Sequence, residues 1–179
     1  MKKIYQLLIL TGLLIGTNAK ADLLIEPLVG YSFGTLSSDI PGSKDADLNG
    51  PSFGGRLGYQ NLGFQLGLDY LNSNMNVEDE NDDLKATEWA GFVGFKFPIL
   101  LRVYAGYIFS AKGDLGNQEF DKGTGSKVGL GFTGLPFINI NLEYRRVAYD
   151  ETKVGAFKIN GADTKYDAYM ISISLPFAI

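Results

Sequence analysis

The segment Ile138-Asn139-Ile140-Asn141-Leu142-Glu143-Tyr144-Arg145 alternates apolar and polar side chains without a break. Successive side chains of a strand point to opposite faces. Ile138, Ile140, Leu142 and Tyr144 therefore share one face, and Asn139, Asn141, Glu143 and Arg145 the other. Wound into a helix, the same residues would scatter both sets around its axis.

The same period recurs along the chain. It runs through Ile25 to Phe33, Phe53 to Tyr59, Phe64 to Tyr70, Trp89 to Phe97, Leu101 to Phe109, Lys127 to Thr133 and Ala168 to Phe177. Eight strands are expected. Between them, long polar segments (Thr35–Gly50, Asn72–Lys85, Lys112–Thr124, Asp150–Asp163) alternate with tight turns (Gln60–Leu62, Pro98–Leu100, Leu135–Pro136). Alternating long and short connections are those of an up-and-down antiparallel barrel, with long loops at one end and both termini at the other.

The first residues read as a cleavable signal peptide. Lys2 and Lys3 give a positive start, Ile4 to Ile15 a short apolar stretch, and Ala19-Lys20-Ala21 a small-x-small cleavage pattern. This divides the chain into a signal peptide over 1–21 and a barrel domain over 22–179. The formal charge of −4 over 179 residues becomes −7 once Lys2, Lys3 and Lys20 leave with no acidic residue. So acidic a domain offers nucleic acid no basic face. The chain has no Cys and no His. No disulfides are available to this secreted domain, and it lacks the commonest general base and metal ligand.

Periodicity alone does not say which face is outside. A soluble lipocalin-like binder would turn the apolar face inward around a greasy ligand. The polar face here is rich in Gly and Ser and carries charges of both signs: Glu26, Asp69, Glu88 and Glu143 against Arg56, Lys96, Arg102, Lys127 and Arg145. Mixed charges suit a narrow lumen where they pair, since an unpaired buried charge is costly. Aromatic residues gather near the strand ends, as membrane interfaces require. The expected fold is thus an all-β, eight-stranded transmembrane barrel, closed because lipid satisfies no backbone N–H or C=O.

On these strands, loops and leader, the chain resembles the small bacterial outer-membrane barrels typified by the OmpA transmembrane domain and OmpX. Such families end on a strand whose terminal aromatic is read by the outer-membrane insertion machinery, and Tyr169, Ile171, Ile173, Leu175 and Phe177 resemble that signal. The chain departs by carrying Ala178-Ile179 after the aromatic. No counterpart of OmpA's peptidoglycan-binding domain is expected after the barrel. The resemblance implies a monomer meeting periplasmic chaperones, membrane lipid and lipopolysaccharide.

Barrel enzymes of the outer membrane resemble one another in relying on His, so no catalytic constellation carries over and no catalytic residue is assigned. The acidic run from Asn72 to Asp83 lacks the spaced carboxylates and central Gly of a calcium loop, and is expected to be a solvated loop with no metal or cofactor. The lumen set Glu26, Arg56, Asp69, Glu88, Lys96, Arg102, Glu143 and Arg145 is either a structural plug or the lining of a narrow path. Eight strands leave just enough room for side chains to fill, which favours the plug. The function expected is a non-enzymatic envelope and surface-interaction protein. The alternative is a narrow porin-like channel for small solutes or hydrophobic compounds, which OmpW-like barrels resemble.

Overall fold

A computed structural model describes residues 22–38, 45–77, 83–154 and 157–179. The expected signal peptide and the acidic residues 78–82 lie outside them. The strands are β1 (Asp22–Ser38), β2 (Ala46–Asn61), β3 (Phe64–Val77), β4 (Asp83–Lys96), β5 (Leu101–Leu115), β6 (Gln118–Phe132), β7 (Asn139–Val154) and β8 (Phe157–Ser174), followed by the short β9 (Phe177–Ala178). Each of the first seven pairs antiparallel with the next, and β1 pairs with β2, β8 and the short β9. The result is a closed up-and-down barrel of eight strands.

At the seam, Leu28 opposes Ser174 and Ile25 opposes Phe177, in one unbroken register. Pro176, which has no N–H to give the ladder, divides β8 from β9 without shifting it. Leu175 still donates its N–H to the Pro27 carbonyl at 3.0 Å. At the opposite edge of β2, Asn61 pairs with Phe64 across a two-residue turn. Leu62 and Gly63 there both have positive φ, 47° and 88°, the backbone of a hairpin turn whose twist matches that of its strands.

The outward face carries an apolar belt. Val29, Leu57, Leu66, Val93, Val128, Leu142 and Ile171 are all exposed, a surface suited to hydrocarbon and not to water. Aromatic pairs bound it at both ends. Towards the short turns, the Phe64 and Phe95 rings lie 4.7 Å apart and Phe95 and Phe97 4.8 Å. Towards the other end, Tyr70 and Trp89 lie 4.8 Å apart and Tyr144 and Tyr169 5.0 Å.

The expected long loops are largely strand. β1 runs to Ser38, β3 to Val77, and β5 and β6 continue to a two-residue turn at Gly116-Asn117. A spanning strand needs about 9–11 residues, whereas these have 14 to 18, so the barrel wall continues past the apolar belt. Above the Tyr144–Tyr169 level the polarity of the two faces inverts. Asp47, Asn76, Lys85, Lys112 and Arg146 point outward, while Leu36, Leu48, Met75, Leu84, Phe120, Val147, Tyr149 and Tyr166 pack into one buried cluster inside. Side-chain alternation is mostly unchanged; what changes is the solvent around the wall. Bulges adjust the register near this boundary, between Trp89 and Ala90 against β5 and again between Ile108 and Ala111 against β6.

Candidate functional site

Below the apolar cluster, the lumen holds charged side chains that the alternation turns inward. Glu26, Arg56, Asp69, Glu88, Arg102, Lys127, Glu143 and Arg145 are all buried. Four carboxylates thus face four cations. Several bonds cross the lumen rather than run along its wall. Arg102 on β5 donates from Nη1 to Oε2 of Glu26 on β1 at 2.7 Å, and those strands stand opposite in the closed order. Lys127 Nζ on β6 lies 2.6 Å from Asp69 Oδ2 on β3. Arg145 Nη1 on β7 donates to Glu88 Oε2 on β4 at 3.4 Å.

Two residues tie these pairs into one network. Arg56 donates from Nε to its cross-strand partner Asp69 at 2.7 Å and from Nη2 to Glu143 Oε2 at 3.1 Å. Glu143 also accepts from Arg145 Nη2 at 2.7 Å and from Lys127 at 3.3 Å. The guanidinium of Arg56 sits 4.3 Å from the centre of the Tyr104 ring, and that of Arg102 5.2 Å, within range of cation–π attraction. Pairing with hydrogen bonds on both partners is what makes burial of such charges tolerable.

The structure brings together seven of the eight expected lumen residues, Glu26, Arg56, Asp69, Glu88, Arg102, Glu143 and Arg145, with Lys127 joining them. Lys96 is a correction. It is exposed at the last position of β4, where the wall ends at the short turn and its ammonium reaches water, as a long flexible cation does at a boundary. Neutral partners complete the network. Ser174 and Asn139 donate to Glu26 Oε1 at 2.5 and 3.3 Å, and Arg102 Nη2 donates to Asn141 Oδ1 at 2.5 Å. Asn139, Asn141 and Ser174 lie on the inner face that the alternation predicts; being uncharged, they carried no signal of their own. Tyr169, Ile171, Ile173, Leu175 and Phe177 all lie on the outer face and are exposed.

No protein-family model matches the sequence, and no curated relative matches it. Among solved structures, Neisserial surface protein A matches with a TM-score of 0.59 at 17% identity, covering 86% of this chain and 97% of that one. Ail, the attachment invasion locus protein of Yersinia pestis, matches with a TM-score of 0.59 at 14% identity, covering 87% of this chain and 99% of that one. This chain has the fold of these small eight-stranded barrels.

Proposed function

We propose that the chain is a non-enzymatic integral outer-membrane protein, with a lumen closed by its own side chains and an outer end available for surface interaction. In this reading residues 1–21 direct export, and residues 22–179 form the barrel. It is a monomer held by outer-membrane lipid and lipopolysaccharide and delivered by periplasmic chaperones to the insertion machinery. The observation that carries the reading is the balanced network of Glu26, Arg56, Asp69, Glu88, Arg102, Lys127, Glu143 and Arg145, whose bonds span the lumen beneath an apolar cluster. A conducting path needs water at the charges; here these groups are buried and bonded to one another. The apolar belt between aromatic girdles supports the membrane address, and the fold shared with Neisserial surface protein A and Ail agrees with it. The absence of His from the sequence supports a role without catalysis.

Conductance across a planar lipid bilayer tests this. The correctly folded barrel, verified by its heat-dependent shift in gel migration, is expected to be electrically silent. Discrete current steps that change when Arg102 or Glu143 is neutralised would overturn the closed lumen and establish a narrow channel instead.

A further inference from the structure

The apolar belt is not uniform around the barrel. Across β3 to β8 its outer wall is hollowed into a groove of about 720 Å³. Its floor is laid by small residues, Ala105 and Gly129, beside Val128; Phe95 stands at the short-turn end, and Tyr144 and Tyr169 at the other. The groove therefore runs from one aromatic girdle to the other, through the depth that lipid tails occupy.

A braced cation stands above the Tyr144 end. Arg146 follows two residues after Tyr144 on the same outer face of β7, opposite Ser126 of β6 and Asp167 of β8. Its guanidinium is held by a two-point fork, with Nε donating to Asp167 Oδ1 at 2.8 Å and Nη2 to Oδ2 at 3.1 Å. Tyr144 braces the same carboxylate, donating its hydroxyl to Oδ1 at 2.6 Å. The fork leaves Nη1 outside it, on a side chain that remains 62% exposed. Ser126 is exposed beside it, directly above Val128 in the groove.

We infer that this groove and its mouth form a seat for one phosphate-bearing acyl lipid, its chain lying over Ala105 and its phosphate meeting Arg146 and Ser126. The chemistry selects that occupant. A guanidinium pre-oriented by Asp167 and a neighbouring hydroxyl suit phosphate oxygens, and an apolar trench with small residues on its floor suits a flexible chain. A tail alone would not need Arg146, and a free phosphate would not need the groove. The inference rests on the membrane reading above and extends it from bulk solvation to one specific lipid contact.

The test is native mass spectrometry of the protein extracted from membranes in detergent, with dimyristoyl phosphatidic acid, dimyristoyl phosphatidylcholine and inorganic phosphate as probes. Phosphatidic acid is expected to bind at one site and to survive collisional activation longer than phosphatidylcholine. Arg146→Gln is expected to weaken phosphatidic acid about tenfold, as loss of a charge-assisted bond implies, and to weaken phosphatidylcholine, whose phosphate is a singly charged diester, by less. Ala105→Phe, which fills the groove from the outer face, is expected to remove bound lipid of both kinds while the heat-dependent gel shift persists. Equal binding of phosphatidic acid by wild type and R146Q would overturn the headgroup contact, and full binding by A105F would overturn the groove. Competition by inorganic phosphate alone would make the site a phosphate site rather than a lipid seat, and a dimer mass abolished by A105F would make the groove a protein interface. A protein that stays folded in water without detergent would fail the membrane reading itself; a folded, detergent-requiring barrel that retains no lipid would fail this inference only.

Discussion

Arg102 and Glu26 meet at 2.7 Å across the lumen, from strands on opposite sides of the barrel. Neither side chain reaches water, and Glu26 is the point where Arg102, Ser174 and Asn139 converge. The pair acts as a crossbar between β1 and β5, and its value lies less in attraction than in what remains if half of it is removed. Breaking a buried pair strands a charge, whereas replacing both halves with apolar groups of similar size is often neutral.

Glu26→Ala should therefore destabilise the barrel by about 3–5 kcal/mol. Glu26→Leu combined with Arg102→Met should recover most of that loss. Urea unfolding in micelles, followed by tryptophan fluorescence or gel shift, measures both. Equal losses in the single and double variants would show that the crossbar is not the unit described.

Gly129 faces Tyr104 across the β5–β6 pair, and a Cβ at that position would enter the Tyr104 ring. The ring has little room to move, because Arg56 packs on it at 4.3 Å. Gly129→Ala is expected to cost about 1–3 kcal/mol through overpacking, and Tyr104→Leu in the same chain should relieve it. A G129A variant with an unchanged denaturation midpoint would show that the ring yields freely.

The inverted polarity of the extension makes a paired prediction. Leu48 points into the apolar cluster and Asp47, its neighbour, points out. Leu48→Ala should lose about 2–4 kcal/mol, whereas Asp47→Ala should stay within about 0.5 kcal/mol, as most surface changes do. If the alanine variants are indistinguishable by thermal melting, the extension is not a packed continuation of the barrel.

Beyond the membrane, the Lys153 ammonium donates to Asp121 Oδ2 at 2.5 Å and holds that carboxyl below the usual aspartate range. A depressed carboxyl contributes stability above its unfolded value and loses it as pH falls through the folded one. The β6–β7 edge should thus stay ordered through the ordinary aspartate range and loosen only below it. An NMR titration of Asp121 is expected to show a lowered midpoint that returns upward in Lys153→Gln. An ordinary midpoint in the unaltered protein would remove this contribution.

Much of the architecture was legible in period two alone. The run from Ile138 to Arg145 assigns Asn141, Glu143 and Arg145 to one face, and all three prove to be buried in the lumen. The strand ends are not legible in it, because the pattern recognises a strand by an apolar outward face. That holds only where lipid is the solvent. At Asn72, Asn74 and Asn76 the outward residues are polar, and Ser73, Met75 and Val77 fill the interior, so a strand that leaves the membrane resembles a polar loop. Lys96 departs from the alternation for a related reason: alternation gives the face of a residue but not its depth, and depth decides whether a cation meets a partner or water. The bonds among lumen charges were beyond reach too, since the strands that carry Arg102 and Glu26, or Arg145 and Glu88, become opposite only once the cylinder shuts.

The seam between β1 and β8, with Leu28 against Ser174 and Ile25 against Phe177, joins the two most distant parts of the described chain. Every other hairpin can zip locally as its turn forms, but this last ladder must wait for seven strands to be in order, so its closure carries the full loop-entropy cost. Until then, the half-built sheet has two open edges inviting strand addition from a second chain. Afterwards there is no edge at which to begin peeling, and the crossbars lock together as the final ladder zips. Such a molecule should assemble slowly and come apart more slowly still, and its persistence should be governed by the rate of unsealing rather than by the free energy of the folded state.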